Sequence, residues 1–316
     1  MTALEFAAPA RYRLRRTLGV YRMGAGDPSL RLVGDRWVWA HSTPAGPVTL
    51  LVEEKGASLL VKLWGEGAEW LEPGLGALLG LEDDPSTFSP SDPSFRRVWK
   101  RTLGIHLPRL PILFPQLTRI VLQQLVTTGE GQRAWRRIVR DLGSPAPGPH
   151  DVMVPPGCGK VAETPWFRFV SDGVPHKQAR TLVRGARAAT ALEAAGSFTG
   201  EAAVEAFAKI PGVGPWTEGY LRGTGLGDPD AVVTGDYHLP NAAAWILAGR
   251  PRGTDDEMLD LLEPYRGNRF RVIRALLASG IRAPRRGPKR GVRPLPGSPD
   301  RARPGQRSSP ASRWRD

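Results

Sequence analysis

The run Ile210-Pro211-Gly212-Val213-Gly214-Pro215-Trp216-Thr217 constrains this chain more than any other. Proline at 211 disfavours helical geometry at Ile210 and so ends the helix before it. Gly212 and Gly214 accept the positive φ that a sharp reversal needs. Pro215 suits the first turn of a following helix, where its missing N–H costs nothing. The run therefore predicts a tight hairpin between two helices. Its free N–H groups, with those of the next helix's N-terminus, would face outward and attract an anionic oxygen such as a phosphate. An ordinary interhelical turn is the plainer reading of the same residues.

About twenty residues later stands Gly235-Asp236-Tyr237-His238. An aspartate here is a normal helix N-cap. It is equally a fixed anion, able to stabilise a developing positive charge or to orient water. Trp216 and Tyr220 lie four apart on the helix leaving the hairpin and share a face. Aromatics at that spacing pack cores. They also make an electron-rich wall on which a cationic ring could stack.

The first eighty residues read as β-rich. Trp37-Val38-Trp39, Val48 to Val52 and Leu59 to Leu63 are short strand-forming runs separated by Gly and Pro clusters. Glu53 to Ala57 suits a hairpin link, and 69–81 a helix on one face of a small antiparallel sheet. From Phe95 onward the pattern is helical. Apolar residues at Leu117, Ile120, Val121, Leu122 and Leu125 predict a helix over 114–126. Further helices are expected at 135–142, 176–194, 200–209, 255–262 and 268–279, with 144–159 a loop. The expected fold class is α+β: an N-terminal sheet with a helix over 1–92, an all-α domain over 93–281, and a disordered Arg/Pro-rich tail over 282–316.

Composition narrows the chemistry. A single cysteine, Cys158, excludes an intramolecular disulfide and a four-cysteine metal or iron–sulfur site. The five histidines show no metal-ligand spacing, so neither a catalytic metal nor a cofactor is expected. No segment reaches the roughly 18 uninterrupted apolar residues of a membrane span. With no long apolar run near the start either, a cytoplasmic, nucleoid-associated location is expected. Residues 281–316 hold eleven Lys or Arg and two Asp, which is +9 of the chain's +13. The basic balance is therefore mostly a property of the tail, which would add non-specific attraction to nucleic acid.

Hairpin, Trp-Thr and aspartate, in this order and spacing, resemble the helix-hairpin-helix DNA glycosylases, and within them the bacterial 3-methyladenine DNA glycosylase II family. The likeness extends to Phe114-Pro115-Gln116 through Val126, similar to that family's helix and wedge-bearing loop. It includes His176 to Arg180, similar to its "K-x-A" helix. The N-terminal sheet resembles the TATA-binding-protein-like domain of that branch.

The resemblance implies roles. Asp236 corresponds to the catalytic aspartate, Trp216 and Tyr220 to the base pocket. Pro211, Gly212, Val213, Gly214 and Thr217 would engage the DNA backbone. Leu125 would be the wedge that fills the vacated stack, and Gln124 would reach base edges. On its own pattern, Leu125 is equally a core residue of its helix. Where relatives can carry a second acid, this chain has Gly235. Where bifunctional relatives have a lysine, it has Trp216, which implies base removal without strand cleavage.

The implied activity is excision of alkylated purines from duplex DNA by base flipping and hydrolysis. The protein would act as a monomer on DNA containing a damaged base, with no obligate protein partner. Two alternatives stand: a catalytically silent helix-hairpin-helix DNA-binding protein, and a glycosylase for a deaminated base.

Overall fold

The computed structural model describes residues 1–284. Most of the expected disordered tail, from residue 285 on, lies outside the described residues. Five antiparallel strands form one sheet: β1 (Thr2–Ala7), β2 (Leu30–Val33), β3 (Arg36–Thr43), β4 (Gly46–Lys55) and β5 (Ser58–Trp64), in the spatial order β1-β5-β4-β3-β2. The meander β2 to β5 arises from short β-branched, leucine- and aromatic-rich runs parted by tight turns, the central two buried on both faces. β1 closes the other edge by pairing with β5, Leu4 opposite Val61.

Register places every second residue on one inner face. Leu32, Trp37, Val52, Val61 and Leu4 form one row across all five strands. Trp39, Leu50 and Leu63 form the next, and all three are fully buried. The outer face is also covered. Val38, Ala40 and Leu51 pack under Val152 and Val154. Val154 belongs to a small two-stranded ribbon, Ser144–Pro145 with Met153–Val154, inside the stretch expected to be a loop. Proline and glycine interrupt any strand pattern in this stretch. The Met153 amide donates to the Pro28 carbonyl at 2.8 Å and pins the ribbon to the sheet.

The expected helix over 69–81 is instead two single turns, Ala68–Leu71 and Leu75–Leu78, parted by Glu72-Pro73-Gly74. The 114–126 helix ends early, at Val121. The next long helix, Thr128–Leu142, starts on a capping box: Thr127 Oγ1 accepts from the Glu130 amide while the Glu130 carboxylate accepts from the Thr127 amide. Residues 122–127 are therefore a loop between two helices.

Two apolar clusters organise the helices. The first joins the inner sheet face to helices Phe114–Val121, Thr128–Leu142, His176–Arg187 and Ala189–Ala195. The second joins Pro93–Thr102 to Leu239–Ala248, Asp255–Leu262 and Arg269–Ala278. Trp216 and Tyr220, on helix Pro215–Gly225, pack against both. That seam between two packed units is the usual place for a site.

Candidate active site

The hairpin forms where the sequence puts it, between helices Gly200–Ala208 and Pro215–Gly225. Gly212 takes φ +90°, and a Cβ there would stand 2.5 Å from the Thr181 side chain, so no other residue fits this turn without movement. Pro211, Gly212, Gly214 and Pro215 are exposed. Val213 is turned inward and its amide donates to the Ile210 carbonyl at 3.0 Å. Among the described residues, the Gly212 and Gly214 amides have no protein acceptor. These two exposed donors stand beside a helix N-terminus, an arrangement that favours an anion.

Helix Pro215–Gly225 lies close against the segment that carries Asp236. The contact is made possible by Gly219, whose absent Cβ leaves room for the Val232 carbonyl; a Cβ would approach it to 2.2 Å. The same segment is fastened further along. The Asp230 carboxylate accepts from the amides of Gly267 and Arg269 and from the Arg269 guanidinium. Gly235 has φ +76°, a conformation that strains an L side chain, and its amide donates to Asp255 Oδ2 at 2.8 Å. That geometry gives a physical reason for glycine at this position.

The Asp236 carboxylate is saturated with donors. Oδ2 accepts from Trp216 Nε1 at 3.0 Å and from the Tyr220 hydroxyl at 3.2 Å. Oδ1 accepts from the amides of His238 and Leu239, each at 2.8 Å, at the start of helix Leu239–Ala248. One oxygen thus holds the helix start and the other holds the two aromatic side chains. Burial and the nearby Asp236 anion push the Tyr220 phenol well above its ordinary pKa, so it stays protonated and donates. The Trp216 and Tyr220 rings meet edge to face at 4.9 Å. Both are half-buried, so each serves the core and the site at once.

The wedge candidate is not a core residue. Leu125 is 83% exposed and has φ +54°, rare for a leucine. A large apolar side chain held in water in a strained backbone is an observation that points to function. Gln124 does not present its amide to solvent alone. Its Nε2 donates to Thr217 Oγ1 at 2.7 Å, and its carbonyl accepts from Gln178 Nε2 at 2.7 Å. Thr217 is 1% exposed, so it braces the loop and is not a surface contact.

One residue escaped the sequence reading. Tyr237, directly after Asp236, is 84% exposed with its ring 4.9 Å from that of His238. A solvent-facing tyrosine beside the site carboxylate was legible only once the chain's direction there was known. In the segment 264–270, Tyr265 and Phe270 are buried, Arg266 pairs with Glu263 and Arg269 with Asp230. Among the described residues there is no group of three or more His, Cys, Asp or Glu arranged to hold a metal, and no helix long and apolar enough to cross a membrane.

Comparison with solved structures gives the architecture a precedent. The chain superposes on the 3-methyladenine DNA glycosylase from Archaeoglobus fulgidus with a TM-score of 0.76, at 16% identity, over 88% of this chain and 98% of that one. The chain has the helix-hairpin-helix DNA glycosylase fold. The 8-oxoguanine glycosylase/lyase from Clostridium acetobutylicum shares this glycosylase fold with a TM-score of 0.71, at 13% identity, over 89% and 97% of the two chains. In sequence, the chain is 29% identical over 171 residues, 52% of its length, to a Mycobacterium tuberculosis protein described as a probable bifunctional transcriptional activator/DNA repair enzyme AlkA. The match spans 34% of that relative, about a third of its length. No family model matches the chain.

Proposed function

We propose that the protein is a monofunctional DNA glycosylase that removes alkylated purines, of the 3-methyladenine and 7-methylguanine kind, from duplex DNA. The observation that carries the reading is the Asp236 carboxylate, held by four donors beside two aromatic rings at the seam between the two clusters. The likeness to alkylation-repair proteins supports the same substrate class.

The chemistry follows from that carboxylate. Breaking an N-glycosidic bond builds positive charge on the deoxyribose, and a pre-oriented anion stabilises it without reorganising. A carboxylate has about four lone-pair sites, and here all four are taken. Asp236 therefore acts first as an electrostatic stabiliser. It takes a proton from water only if the Trp216 or Tyr220 bond yields. Such a device suits a base that is already cationic and leaves with little protonation. A deaminated base leaves less readily and would need a further donor.

The flipped nucleotide is held by its backbone on the Gly212 and Gly214 amides, while Leu125 fills the gap left in the stack. Helix Pro215–Gly225 contains no lysine, so the amine that strand-cleaving enzymes use is absent from this helix, and the product is an abasic site in an intact strand.

The test is release of methylated bases from alkylated duplex DNA by the wild type and by Asp236→Asn, with binding measured in parallel. Release by the wild type that falls at least about a hundredfold in the variant, binding retained, is the expected outcome. Binding without release by the wild type would leave a silent DNA-binding protein or another lesion.

A further inference from the structure

Helix His176–Arg187 carries Lys177, Arg180, Arg184 and Arg187, spaced three, four and three apart and all exposed. That spacing puts the four cations on one face of the helix. The helix has no Asp or Glu. Beside it lies a cleft of about 430 Å³ lined by His176, Lys177, Arg180, Thr181, Arg184 and Gly212. Gly212 belongs to the hairpin turn, so the cleft opens directly next to the two unpartnered amides.

The cleft is built and not merely charged. The Arg180 guanidinium lies 4.6 Å over the Trp166 ring, and Trp166 also packs against the His176 ring at 5.4 Å. A cation stacked in this way keeps its in-plane donors free while losing rotamer freedom in advance. The floor is the buried Thr181, whose side chain already abuts Gly212. The next residue toward the loop, Gln178, holds the Gln124 carbonyl. One helix thus touches the hairpin, the cleft and the loop that presents Leu125.

We infer that this cleft seats a second backbone phosphate of the bound DNA, next to the one taken by the hairpin amides, and that Arg180 and Arg184 are its principal ligands. The inference rests on the glycosylase reading for its ligand and adds a binding site to it. Two adjacent phosphates, one at the hairpin and one on this helix face, set the direction in which the strand leaves the hairpin. They orient the duplex so that Leu125 faces the base stack.

The experiment is the salt dependence of binding to undamaged duplex DNA by the full chain, comparing the wild type with Arg180→Gln/Arg184→Gln, which keeps most of each stem. A charge-matched control, Lys55→Ala/Lys62→Ala, alters exposed lysines on the sheet. Losing one phosphate contact lowers the slope of log K against log salt by about 1, with dissociation constants rising roughly tenfold at low salt. The control should keep the wild-type slope. An unchanged slope in the cleft variant, or an equal fall in the control, overturns the site. Thermal melts of all three proteins show that each is folded. Base release by the wild type is measured alongside. If it occurs while the cleft variant keeps its slope, only the second phosphate site fails. If the wild type neither binds DNA nor releases bases, the glycosylase reading fails and this inference with it.

Discussion

Gln124 and Thr217, 93 residues apart in the chain, share a 2.7 Å hydrogen bond that joins the Leu125 loop to the helix bearing Trp216. The exposed apolar tip and the aromatic pair are thereby fixed relative to each other. Replacing Gln124 with Ala should leave the Thr217 hydroxyl buried without its donor and cost about 1 kcal/mol of stability. Base release should fall more than stability does, by about tenfold in kcat/KM, because a loosened tip misplaces the bound nucleotide. Denaturant melts and single-turnover excision measured on the same variant check both numbers. Equal activity in the variant would show that the tie is structural only.

Leu125 offers a cleaner separation of stability from function. Its side chain is in water and its φ is positive. Leu125→Gly should therefore be neutral or stabilise by up to about 1 kcal/mol. The same change should reduce excision from duplex DNA while sparing a single-stranded methylated substrate, which has no stack to fill. A loss of stability would mean that the side chain packs against protein.

Tyr220→Phe removes one of the four donors to Asp236 and keeps the ring. The freed lone pair gives water a place to bind. We expect the rate of excision to change by less than about tenfold, and the stability to drop by about 1 kcal/mol. Burial and the carboxylate raise the wild-type phenol pKa, so the difference between the ultraviolet titrations of wild type and Tyr220→Phe should show no ionisation in the ordinary tyrosine range.

Asp172 predicts a pH effect away from the site. Burial, reinforced by the charge of Asp141, pushes its carboxyl up to about 6. Between about pH 4 and 6 the folded protein keeps this proton and the unfolded chain releases it, so this group's contribution to stability falls as pH rises through that window and is flat above it. Asp172→Asn should remove the fall and stabilise the protein at pH 7 by about 1–2 kcal/mol. Denaturant midpoints at pH 4.5 and 7 for both proteins give the comparison; an unchanged difference between the two pH values would refute the shift.

Gly219→Ala tests how the site is assembled. The new methyl would press on the Val232 carbonyl, a backbone atom that cannot swing aside. A cost of about 1–3 kcal/mol is expected, together with a loss of excision larger than that of Tyr220→Phe, since the whole Asp236 segment must shift. Retained activity would mean that the segment tolerates displacement.

What the residues alone determined was local. Proline and glycine at 211–215 dictate a turn whatever surrounds it, because backbone sterics act within a few residues. The runs at 37–39, 48–52 and 59–63 are legible as strands because they are short, rich in strand-forming residues and bounded by Gly and Pro clusters. The order of hairpin and aspartate was visible for the same reason. Periodicity extends the helix at 114 to Leu125 because it counts that residue as apolar, whereas the chain turns after Val121. The strands β1 and β2 and the ribbon at 144–154 carry little strand pattern of their own, since an edge strand is defined by the partner it finds. Tertiary structure alone decided that Thr217 is buried under Gln124, that Asp236 spends one oxygen on a helix start and the other on Trp216 and Tyr220, and that Gly219 lets these groups meet. Such relations depend on distances between residues far apart in the chain, and only the packed fold sets those distances.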